Sequence, residues 1–105
     1  MGPRTLFAKL RDAHVVRDSG GGRLLVHIDR HLIHDVTSPQ AFASMREKKR
    51  RVRHPEHTFA TPDHTVSTPP GRGDATVPGG AEMIQALRAA AREHGLRNYD
   101  IGDTD

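Results

Sequence analysis

The sequence predicts an α/β fold built on an incomplete sheet, and three observations point there. Segments with helical periodicity alternate with short apolar runs, in the order helix, strand, helix, strand, helix, strand, which layers helices over a sheet. One of those runs, Leu24-Leu-Val-His-Ile28, is nearly continuous in apolar residues, as a central parallel strand covered on both faces requires. The clearest helix, about residues 81–94, meets Gly95 at its end, and glycine there accepts the left-handed conformation of a helix stop.

Each element has its own justification. Residues 4–14 repeat Leu6, Leu10 and Ala13 at helical spacing and turn Lys9, Arg11 and Asp12 to water. Ser19-Gly-Gly-Gly22 ends that helix as a flexible turn and matches neither a dinucleotide-binding glycine pattern nor a phosphate loop. Leu24–Ile28 is then the expected buried strand, and residues 30–36 suit a helical turn. Ser38-Pro39 is a helix start, the hydroxyl capping free amides and proline fitting the first turn. That helix runs to about Lys49 and is expected to bury Phe42, Met45 and Ala41. Thr58-Phe-Ala-Thr61 reads as a second strand, stopped by Pro62. Residues 67–80 form a flexible Pro/Gly-rich loop without hydrophobic periodicity. Met83, Ile84, Leu87, Ala90 and Ala91 mark the buried stripe of the 81–94 helix, and Leu96–Ile101 is a last strand at a sheet edge.

Composition bounds what these elements build. The 105 residues form one domain at most, residues 1–105, and 34% hydrophobic with 4% aromatic residues leave a thin core. Such a chain is marginally stable alone or leans on a partner surface. The absence of cysteine excludes a disulfide framework, a thiolate zinc site, a cysteine nucleophile and a cluster ligated by the chain's own thiolates. No apolar run approaches the roughly 20 residues of a membrane span, and the first residues carry no signal-peptide core. The expectation is a soluble, cytoplasmic chain without a membrane partner. The net charge of +3 is concentrated in Arg46, Lys48, Lys49, Arg50, Arg51 and Arg53, opposed locally by Glu47. Without interleaved aromatics or a nucleic-acid motif, this run reads first as a solvated helix end. The rival is a small basic module using Arg46 to Arg53 for an anion or a nucleic acid, and nucleic acid is not the expected partner.

Two stretches gather acid and base groups. His31 and His34, three apart, share a face if helical, with His27, Asp29 and Asp35 nearby in sequence, so a transition-metal site using His31, His34 and His64 is one reading and ordinary surface histidines the other. Asp63-His64 follows a strand and a proline, where α/β proteins expose functional groups at strand carboxyl ends. A histidine beside a carboxylate is a proton carrier near neutral pH. The alternative is a loop dipeptide in which Asp63 caps the following turn.

The residues also carry a resemblance. Thr5-Leu-Phe-Ala-Lys-Leu-Arg-Asp-Ala-His-Val-Val16, Ile28-Asp-Arg-His-Leu-Ile-His-Asp-Val-Thr-Ser-Pro-Gln-Ala-Phe42, Val52-Arg-His-Pro55, Thr58-Phe-Ala-Thr-Pro-Asp-His64 and Tyr99-Asp-Ile-Gly102 resemble, in order and spacing, the amino-terminal region of the 3-isopropylmalate dehydratase large subunit family, a branch of the aconitase superfamily. The resemblance implies a partial three-layer α/β/α aconitase-type domain. It implies a hydro-lyase that isomerises 2-isopropylmalate to 3-isopropylmalate by dehydration and rehydration in leucine biosynthesis, with a 4Fe-4S cluster as Lewis acid for a small hydroxy acid. Homoaconitase-like hydro-lyases share much of the pattern. Asp63 and His64 match the family's catalytic pair, His34 matches a substrate contact, and Asp35, Thr37 and Ser38 match its supporting neighbours. The family's large subunit works with a small subunit, as a heterodimer in bacteria, which brings the serine base. The family's cluster cysteines lie downstream of this region, and this chain has none. The expectation is an amino-terminal fragment that ligates no cluster and is inactive alone.

Overall fold

Thr5 opens the first helix, α1 (Leu6–His14), by accepting the Ala8 amide on its hydroxyl oxygen at 3.1 Å, which satisfies one of the donors a helix start leaves free. The computed structural model describes residues 2–71, 73, 74 and 77–104. Instead of passing into a glycine turn, α1 leads directly into a strand, β1 (Val15–Gly20), which pairs antiparallel with β2 (Arg23–Val26). Gly20, Gly21 and Gly22 all take positive φ, 77°, 61° and 75°, and fold the chain back on itself. The Asp18 carboxylate accepts the Gly20 amide at 2.8 Å and fastens the turn.

This hairpin corrects the reading of Leu24–Ile28 as a central parallel strand. Every residue of β2 is exposed, Leu25 at 50%, and neither α1 nor β1 buries a side chain. The physical reason is local: a tight glycine turn pairs the strand with its immediate predecessor before any distant strand competes. The run of apolar residues therefore lies on the surface of a two-stranded ribbon.

The core lies in the rest of the chain. Three short strands, β3 (His31–Ile33), β4 (Thr58–Ala60) and β5 (Arg97–Asn98), form a parallel sheet in the order β3-β4-β5. Their registers place Ile33 opposite Ala60, and Ala60 opposite Asn98. Residues 31–33 are thus extended, not the helical turn the sequence suggested, because pairing with β4 satisfies backbone groups that a lone turn leaves to water. β5 occupies an edge, as expected.

Each parallel connection carries a helix. Between β3 and β4 lies α2 (Ser38–Glu47), and between β4 and β5 lies α3 (Gly80–His94). The expected serine cap of α2 is not made. Thr37 holds the cap position without a side-chain bond, Pro39 fits the first turn, and Ser38 is buried. Phe42 is buried and Met45 partly so, whereas Ala41 is exposed. In α3, Ile84, Leu87, Ala90 and Ala91 form the buried stripe, while Met83 turns outward. Gly95 closes α3 at φ 68°, its amide reaching the carbonyls of Ala91 and Arg92. Phe42, Ala60, Leu87, Ala90, Ala91 and Leu96 make one apolar cluster, with Ile33, Met45 and Val52 at its edge.

The result is a mixed α/β structure with incomplete sheets. On the face away from that cluster Leu32 is 74% exposed, so the sheet is layered on one side among the described residues. The loop expected at 67–80 includes Arg72, Ala75 and Thr76, which lie outside the described residues. Its Asp74 is anchored: Arg88 grips both carboxylate oxygens at 2.9 Å while also binding Asp100 at 2.6 and 2.7 Å.

Candidate functional site

Parallel pairing assembles the site. Because β3 and β4 run the same way with Ile33 beside Ala60, the residues leaving their carboxyl ends, His34-Asp35 and Thr61-Pro62-Asp63-His64, emerge side by side. The ladder continues one step further, the Thr61 amide donating to the Ile33 carbonyl at 3.0 Å. Beyond it Pro62 has no amide to give, and the amides of residues 63–65 need another acceptor.

Asp35 is that acceptor. Its carboxylate is fully buried, and Oδ1 accepts the amides of Asp63 and His64, each at 3.1 Å. Oδ2 accepts the amide of Thr65 at 3.0 Å and the Thr65 hydroxyl. Burial by itself raises a carboxyl pKa. Here the Thr65 hydroxyl and the three backbone amides outweigh it and hold Asp35 ionised far below the usual carboxylate range.

The loop so held presents its side chains outward. His64 and Asp63 are exposed, His34 is half-buried, and the two imidazoles stack with centroids 5.6 Å apart and planes 20° from parallel. His34 Nδ1 accepts the Val36 amide at 3.2 Å, which places the proton of the neutral ring on Nε2. One ligand-type atom from each of His34, Asp63 and His64 lies within 4.8 Å of the others. Two imidazoles and a carboxylate on one open surface are a proton-transfer set and also a set of metal donors.

The other named residues are distributed differently. Asp35 faces inward and holds the loop rather than the solvent, and this also answers the turn-capping alternative for Asp63: Asp35 provides the cap. Thr37 is exposed at the start of α2. Ser38 lines a cavity of about 240 Å³ with Phe42 and Met45. His31, exposed at the start of β3, stands three extended residue steps from His34, roughly 10 Å of chain. It lines the Ser38 cavity too, and a second one of about 310 Å³ with His27, His54 and His57, so the helical His31–His34 face does not form. In the basic run, Arg46 is engaged by Glu93 of α3 at 2.8 Å.

Sequence reasoning missed Thr65 and the inward role of Asp35. The signal available was Pro62: a strand stopped by proline leaves following amides without sheet partners, and a short acidic side chain at the neighbouring strand end is placed to accept them.

Among the described residues, no helix is long and apolar enough to cross a membrane. No solved structure matches the chain. The model of the aconitase family (aconitate hydratase) matches residues 8–104, a stretch that takes in most of α1, the hairpin, all three parallel strands and the His34–Asp63–His64 surface. With nearly its whole length matched, the chain belongs to the aconitase family, a superfamily of the hydro-lyase type.

Proposed function

We propose that this chain supplies the Asp-His wall of a 3-isopropylmalate dehydratase large subunit, acting on 2-isopropylmalate within leucine biosynthesis in the cytoplasm. The observation that carries the reading is the Asp35 clamp, which presents Asp63 and His64 beside His34 at the carboxyl ends of two parallel strands. In this role His64, with the Asp63 carboxylate close by, gives a proton to the departing hydroxyl and takes one from water on rehydration. His34, carrying its proton on Nε2, donates to a carboxylate of the substrate. Thr37, exposed three positions after His34, is the further polar contact, and Ser38 supports α2 from within.

The 4Fe-4S cluster that the family generally binds is held by cysteine thiolates. This chain has no cysteine, and the donors gathered at its site are imidazole and carboxylate. Its residues do not fit that cluster as ligands. In the proposed enzyme the thiolates belong to polypeptide outside these 105 residues, and a small subunit completes the heterodimer.

The test is an exchange. Residues 8–104 of a working 3-isopropylmalate dehydratase large subunit are replaced by those of this chain, the protein is assembled with its small subunit, and turnover is measured on 2-isopropylmalate and homocitrate. Turnover of 2-isopropylmalate is expected, falling about 10²–10⁴-fold in His64→Ala. Turnover of homocitrate alone would replace the assignment with the homoaconitase-like one. A folded, cluster-loaded hybrid inactive on both would end the hydro-lyase reading of this surface.

A further inference from the structure

Among the described residues, His34, Asp63 and His64 are the group of three potential ligand side chains whose donor atoms lie within 4.8 Å of one another. Nitrogen and oxygen ligands held about 2.1 Å from a tetrahedral ion stand roughly 3.4 Å apart. Asp63 and His64 are exposed and free to rotate by that difference, while the backbone beneath them is fixed by Asp35. We propose that His34, Asp63 and His64 bind one divalent first-row transition-metal ion, leaving its remaining positions open to water or an oxygen ligand.

The donor chemistry selects the class of ion. Two imidazoles with one carboxylate suit zinc, cobalt, nickel or ferrous iron, whereas magnesium and calcium favour oxygen ligands throughout. The carboxylate supplies negative charge to a surface whose other two donors are neutral when deprotonated. The ion takes the same three side chains that the hydro-lyase reading uses for proton transfer and substrate contact, so its binding and turnover exclude one another on this surface; the titration needs neither substrate nor cluster, so its failure and the failure of that reading are distinguishable.

Binding has one local consequence. His34 Nδ1 is engaged by the Val36 amide. An ion on Nδ1 displaces that amide, and an ion on Nε2 sends the ring proton to Nδ1, where it opposes the amide. By either route the Val36 hydrogen bond is lost, so the Val36 amide resonance reports occupancy of this site specifically.

The experiment is calorimetric titration of the full chain with zinc chloride near neutral pH, with circular dichroism on every variant and the Val36 amide followed by NMR. One zinc per chain is expected, accompanied by a Val36 shift. His64→Ala and Asp63→Asn, both at exposed positions, are expected to weaken binding at least about tenfold. The double variant His31→Ala, His54→Ala is expected to leave it unchanged, since those rings line the other cavity. Absence of heat, heat that persists unchanged in His64→Ala, or heat lost in the His31/His54 double variant would each overturn the site. If His34→Ala does not fold, the two exposed positions still decide the question.

Discussion

At the scale of single residues, Asp35 decides whether the site exists. A neutral amide in its place offers one acceptor and one donor, so Asp35→Asn sets its own N–H groups against at least one backbone amide of residues 63–65. The expected effect is destabilisation of about 2 kcal/mol, read by urea denaturation, with faster exchange of the amides of His64 and Thr65. Asp35→Asn leaving both unchanged would show that the clamp does not hold the loop. The residue was legible as an acidic neighbour of His34, but its direction was not. Whether a carboxylate faces a ligand or a loop depends on which amides lie across from it, and those amides are 28–30 positions away along the chain.

At the scale of elements, two apolar segments that the sequence assigns to the core have opposite fates. Leu25 lies on the exposed hairpin, so Leu25→Ser is expected to change stability by no more than about 0.5 kcal/mol. Leu87 is fully buried between α3 and the sheet, and Leu87→Ala is expected to lose about 2–5 kcal/mol. Parallel thermal melts of the two variants separate an exposed ribbon from a central strand. Gly95→Ala forces a side chain into the left-handed region in open space, and a loss of about 1–2 kcal/mol is expected from backbone strain alone. Helix α3 was readable because its 3.6-residue period and its glycine stop are both local signals. The hairpin was not, because a short apolar run looks the same whether it is covered by helices or left on a ribbon.

At the scale of the whole molecule, the chain is extended for its length. The radius of gyration is 17.5 Å, against about 13 Å for a compact domain of this size, and α1 with its hairpin lies beyond the core. Within the core unit, Arg88 binds Asp74 from the 67–80 loop to Asp100 after β5, joining segments that the backbone leaves apart. Arg88 is the main cause that lowers both carboxyl pKa values below 3.8. Because the folded values lie below the unfolded ones, the folded state resists protonation. Their contribution is complete above the ordinary Asp value and is lost as pH falls through the depressed ones. Arg88→Met is therefore expected to lower stability near neutrality and to flatten its decline below about pH 4, as followed by fluorescence-independent circular dichroism melts across pH.

Local chemistry in the sequence by itself determined that α2, β4, α3 and β5 alternate helix with short strand, that α3 ends at Gly95, that no thiolate of this chain can serve a cluster, and that Asp63-His64 follows a strand. These follow from periodicity, turn residues and composition, which act over a few positions. The tertiary structure alone decided that β3 and β4 pair in parallel, that His34 rather than His31 meets His64, and that Asp35 turns inward. Those outcomes depend on strand register and on which distant amides lack a partner, and neither quantity is written in any one stretch of the chain.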